Sequence, residues 1–162
     1  MYTLKCNKCN PFSRRTGSGF VGYVFRVGTE YIVVSLLVYC VTRLFDSGEG
    51  LRREPSLGFG FLAIVAAPVY ETVFFQVVPA KIAKSNGAGA IPCFLATSIP
   101  FAVFHFGSNY SAAISGGVVG GIYLSMAFWD WSYRGIWAAF SAAVMIHSIH
   151  NAVVFFLVLF FQ

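Results

Sequence analysis

Charge is scarce in this chain. Only 10% of its 162 residues are charged, against about 25% in a soluble globular domain. A chain this poor in charge lacks the means to coat itself in water. Hydrophobic residues make up 57% of it, so the bilayer is the expected solvent. The first twenty residues hold no apolar core, so a cleavable signal peptide is not expected. The last four residues hold no cysteine, which excludes a prenylation site there. Cysteine is also too sparse for a disulfide framework. Cys40 and Cys93 fall in apolar stretches and read as packing residues. Cys6 and Cys9 form a lone C-x-x-C with no second pair to complete a zinc site. A polar tail is the preferred reading, with a half-site completed by another protomer as the rival. The net charge of +5 is no nucleic-acid signal. The basic residues cluster at the amino end and in short loops, where they set membrane orientation.

Long apolar runs are what the chain has. In hydrocarbon every backbone polar group must be satisfied internally, and an apolar run of about 20 residues does so as a helix. Five segments qualify: Gly22 to Phe45, Leu57 to Ala80, Ile91 to Phe106, Ala112 to Trp129 and Gly135 to Phe161. The expected fold is an all-α, multi-pass membrane bundle of about five helices. Residues 1–19 read as a flexible cytoplasmic tail and 20–162 as the helical domain. The first span is the weakest. It needs Arg26 and Glu30 inside it, paired at i, i+4, and interfacial burial of its first half competes. Pro68 and Pro79 each free a backbone carbonyl in the second span. Gly116, Gly117, Gly120 and Gly121 overlay two G-x-x-x-G spacings, a close-packing signal. Trp129, Asp130, Trp131 and Tyr133 read as an interfacial belt, with Asp130 an interfacial charge.

Five crossings put eight basic residues (Lys5, Lys8, Arg14, Arg15, Arg26, Lys81, Lys84 and Arg134) on one side. Three (Arg43, Arg52 and Arg53) fall on the other. The amino terminus is therefore expected in the cytoplasm.

Glu71 stands alone among apolar residues in the second span. An ionisable group at that depth costs at least about 2.5 kcal/mol and marks a functional site by default. All three histidines also lie in spans: His105 in the third, His147 and His150 in the fifth. Three spacings carry chemistry. Thr72 and Gln76 are four apart beside Glu71. Phe101 and His105 are four apart, as are His147 and Asn151, so each pair shares a helix face.

In this order on separate helices, the three motifs resemble the CPBP intramembrane proteases. That family includes the type II CAAX prenyl endopeptidases and the bacteriocin-processing and immunity proteins called Abi. The likeness runs from about Leu57 to Phe156. Its usual pattern is Glu-Glu followed by Arg, then Phe-x-x-x-His, then His-x-x-x-Asn. Here Thr72 replaces the second Glu and Gln76 the Arg. Losing both members together avoids a lone buried charge.

The resemblance implies peptide hydrolysis inside the membrane. Glu71, helped by His105, would orient and deprotonate water, and His147 and Asn151 would bind the oxyanion. Thr72, Gln76 and Phe101 would support them. No H-E-x-x-H signature is present, so metal-free hydrolysis is preferred and no residue is assigned to a metal. No cofactor is expected; zinc activation is the rival. The expected partners are a membrane protein or peptide substrate and the lipid bilayer, with no nucleic acid. His150 matches no family position and reads as a structural or supporting residue. Two other functions compete: an inactive family member acting as a membrane binding or immunity protein, and a proton-coupled transporter subunit.

Overall fold

The computed structural model describes residues 19–45, 56–107 and 110–161. The amino-terminal tail, with Cys6 and Cys9, lies outside the described residues, as does most of the first loop. Every regular element among the described residues is helical. There are four helices long and apolar enough to cross a bilayer, and a shorter apolar one. The protein is an integral, multi-pass membrane helical bundle. We name the helices α1 (Phe20–Arg43), α2 (Gly58–Ser85), α3 (Ala90–His105), α4 (Tyr110–Arg134) and α5 (Ile136–Phe161). The weak first span is a full 24-residue helix. At 16 residues, α3 rises roughly 24 Å, less than the roughly 30 Å hydrocarbon core.

The prolines of α2 shape its backbone. Leu62–Ala66 and Val73–Val77 are π-helical, and each lies just before a proline. The amide of Ala67 donates to Leu62 O, and that of Val78 to Val73 O, five residues back. A proline ring clashes with the carbonyl four residues earlier and brings no N–H. Widening the helix by one residue relieves the clash. It also moves the orphaned carbonyl: in this register Pro68 faces Ala63 O rather than Ile64 O. Ala67–Thr72, which carries Glu71, is the α-helical piece between the two wide segments.

The core lies between α1, α4 and α5. Tyr23, Val24, Val27 and Tyr31 meet Leu124, Phe128 and Trp131 and the small face of Ala139, Ala142 and Ala143. Alanines on α5 let the neighbouring backbones approach, which is how membrane helices gain contact without a hydrophobic force. Helix α4 is the most enclosed long span, and its glycines explain how. A Cβ at Gly117 would stand 2.6 Å from His105 Cβ, and one at Gly121 2.7 Å from Ser98 O. At Gly120 it would meet Tyr31 Oη at 2.6 Å. Gly116 has nothing within 4 Å, so only Gly117, Gly120 and Gly121 are close-packing sites. Gly135, at φ 110°, makes the turn from α4 to α5 in a region that L side chains avoid.

Two expectations change here. Asp130 is buried, and Tyr23 Oη donates to its Oδ2 at 2.7 Å. Trp131 is also buried, edge-on to Phe20 at 4.7 Å. The tight α1–α4 contact covers both, so neither is an exposed side chain. Cys40 is exposed on the outer face of α1 and does not pack in the core, whereas Cys93 is buried. Lys84 Nζ lies 4.5 Å from the Trp129 ring centroid, and Arg134 Cζ 4.6 Å from that of Trp131. With the Phe20 contact, these put the start of α1 and the ends of α2 and α4 at one end of the bundle.

Candidate functional site

Glu71, His105 and His147 come from α2, α3 and α5, and the bundle brings them to one point. Glu71 Oε2 lies 3.8 Å from His147 Nε2 and 3.9 Å from His105 Nε2. The Glu71 side chain is 20% exposed and that of His105 25%, while His147 is almost closed off at 4%. Glu71 Oε2, the atom between the imidazoles, is itself buried and has no hydrogen-bond partner among the described residues.

Each imidazole has its own support. His105 Nδ1 lies 2.8 Å from Phe101 O. A carbonyl only accepts, so Nδ1 carries the proton, and Nε2 is the nitrogen turned toward Glu71. Phe101 is buried, lies against the His105 ring at a 4.5 Å centroid distance, and meets His147 edge-on at 5.7 Å. One aromatic ring therefore spaces both imidazoles. Gly117 completes the seat, because only a residue without Cβ lets α4 lie against His105 Cβ.

Thr72 and Gln76 are fully buried on α2. Their polar side-chain atoms have no hydrogen-bond partner among the described residues, nor does His147 Nδ1. Asn151 lies one turn beyond His147. Its Nδ2 donates to Ala63 O at 2.8 Å, across 88 residues of sequence. This is the carbonyl that Pro68 orphans, so the α5 amide replaces the proline's missing N–H. His150 is buried one layer behind. Its Nδ1 is 3.2 Å from Asn151 Oδ1 and its Nε2 3.0 Å from Ser35 Oγ. Tyr31 stacks on its ring at 4.0 Å.

Sequence reasoning missed Ser35 and Ala63. Ser35 sits in a run that reads as plain apolar helix, and Ala63 acts through its backbone. Pro68 was the available signal, since it announces an orphaned carbonyl. No three His, Cys, Asp or Glu side chains among the described residues are arranged to hold a metal ion.

The structure thus holds a carboxylate against two imidazoles from separate helices, suited to accepting and returning a proton. No curated protein and no solved structure matches the chain. A family model does: type II CAAX prenyl endopeptidase Rce1-like, over residues 53–153. That segment is more than half of the chain and carries Glu71, His105, His147 and Asn151. The chain belongs to this Rce1-like family of intramembrane CAAX-type endopeptidases.

Proposed function

We propose that the protein is an intramembrane endopeptidase that cuts a lipidated or membrane-embedded protein or peptide with water activated by Glu71 and His105, without a metal. The observation that carries this is the meeting of Glu71 Oε2 with His105 Nε2 and His147 Nε2, 3.9 and 3.8 Å away. A gap of 3.9 Å between two acceptors suits one water donating to both at about 2.8 Å. The water's lone pairs then face the substrate. Glu71 takes a proton as the water oxygen bonds to the scissile carbonyl carbon. The carbonyl oxygen becomes an oxyanion, and His147 Nε2–H donates to it. Asn151 gives one amide hydrogen to Ala63 O, and its second is the one proposed for the oxyanion. Each such donor is worth about 2.7–4 kcal/mol. Breakdown of the intermediate breaks the C–N bond, and Glu71 returns its proton to the leaving nitrogen.

Thr72 and Gln76 support the Glu71 helix from its buried side, and Phe101 spaces the imidazoles. The bundle end that gathers the start of α1 with Lys84 and Arg134 is proposed as cytoplasmic, because it carries the greater basic charge. On this reading residues 1–19 lie on the cytoplasmic side.

The test uses purified protein in liposomes with a panel of farnesylated CAAX peptides, leader peptides and membrane-anchor peptides. Wild type should cleave at least one class, unaffected by a chelator. Glu71→Gln should lower the rate by about 10²–10⁴, the usual worth of a general base. Equal rates for the two proteins would overturn the proposal, and loss of activity on chelation would overturn its metal-free step.

A further inference from the structure

We infer that Ser35 of α1 and His150 of α5 are positioning residues, joined to Asn151 in a one-way chain of hydrogen bonds that fixes how the Asn151 amide faces the site. The inference rests on the reading of Asn151 given above. It concerns residues that the family motifs leave out, and Ser35 lies on a helix wholly outside residues 53–153.

The direction of the chain follows from one fixed end. Ala63 O is a backbone carbonyl and only accepts, so the Asn151 atom 2.8 Å from it is the amide nitrogen. Asn151 Oδ1 is then the atom facing His150 Nδ1 at 3.2 Å. Two lone pairs at that distance would repel, so Nδ1 carries a proton and donates to Oδ1. With the ring neutral, Nε2 is left as an acceptor. Its neighbour is Ser35 Oγ at 3.0 Å, nearer than the other acceptor in reach of that hydroxyl, Ser115 O at 3.2 Å. A serine hydroxyl has one hydrogen. Ser35 turns it toward His150 Nε2 and Ser115 O, both within its reach; His150 gives its own to Asn151, and Asn151 gives one to Ala63 O. No charge is buried, which is the inexpensive arrangement in a membrane interior, and one amide hydrogen of Asn151 is left over for the site. Reversing the first link would turn the Nδ1 lone pair toward Oδ1 and break the second.

The neighbouring rings hold this geometry. Tyr31 stacks on His150 at 4.0 Å with an interplanar angle of 12°, so the imidazole cannot rotate freely. Gly120 leaves the room that the Tyr31 hydroxyl needs. Helix α1 thus reaches the site through Ser35 and Tyr31.

Two measurements test this. The first needs no activity. The protein has three histidines, so ring-15N-labelled histidine in protein reconstituted in lipid gives few signals, and His150→Asn assigns that of His150. The His150 ring should be neutral and protonated at Nδ1, and Ser35→Ala should shift its Nε2 resonance. A ring protonated at Nε2 alone, or at both nitrogens, would overturn the chain. The second compares substitutions under kinetic assay. An asparagine at position 150 puts its amide nitrogen near the place of Nδ1, whereas a glutamine puts it near Nε2. His150→Asn should therefore keep more kcat than His150→Gln, with KM similar in both. A space-filling role predicts the reverse order, because glutamine is closer to histidine in size. Ser35→Ala should lower kcat about tenfold, the worth of one buried hydrogen bond, and Ser35→Thr should restore most of it. Should wild type cleave nothing, the proposed function fails while the ring-nitrogen result still decides whether the chain exists.

Discussion

Asn151 Nδ2 donates to the carbonyl of Ala63 at 2.8 Å, from 88 residues away in sequence. Pro68 has no N–H to give in the widened register of Leu62–Ala66. A side chain from the last helix thereby closes a gap in the backbone of the second. The contact ties the residue after the His147 turn to the segment that leads into Glu71.

A double-mutant cycle reads this relationship. Asn151→Ala leaves Ala63 O without its donor and should cost about 1–3 kcal/mol. Pro68→Ala restores an N–H, so α2 can serve its own carbonyl. In that background Asn151→Ala should cost less, with a coupling of about 1 kcal/mol. Reversible unfolding in mixed micelles gives the four stabilities, and purely additive values would refute the compensation.

Gly116 and Gly117 are adjacent but should behave differently. Gly117→Ala drives a methyl to within 2.6 Å of His105 Cβ. Overpacking of this kind costs about 1–3 kcal/mol, and His105 should be pushed away from Glu71, lowering cleavage. Gly116→Ala meets nothing within 4 Å and should leave both stability and cleavage near wild type. Thermal unfolding and cleavage assays on the two variants check the contrast.

Gln76 and Thr72 are both fully buried and one turn apart. Gln76→Arg would place a lone cation there and should cost about 3–5 kcal/mol, the scale of a broken buried ion pair. Adding Thr72→Glu should recover part of it. A double variant less stable than Gln76→Arg alone would argue against the two positions acting as a pair.

Tyr23 and Asp130 are joined by a buried bond of 2.7 Å between α1 and α4. Tyr23→Phe keeps the ring against Trp131 and removes only the donor, so it should destabilise by about 1–3 kcal/mol. A solvent-exposed Asp130 would register little change, and the unfolding midpoint of this one variant separates the cases.

The sequence by itself determined the solvent, the helix count and the identity of the chemical groups. Low charge and long apolar runs leave a backbone one economical solution in hydrocarbon, and that solution is local. Glu71, His105, His147 and Asn151 were legible because a polar group in an apolar helix is conspicuous, and their i, i+4 spacings are local too. The tertiary structure alone decided what each group faces. Nothing in the run around Ser35 says that its hydroxyl meets His150, since partners 115 residues apart are set by how helices pack. Nothing beside Asp130 in sequence says that α1 covers it and that Tyr23 is its partner. Of four glycines with the same spacing, only those turned toward α1 and α3 became contacts. Pro68 shows where the boundary lies. Its ring chemistry, written in the sequence, guaranteed an orphaned carbonyl; the bundle chose Asn151 to answer it.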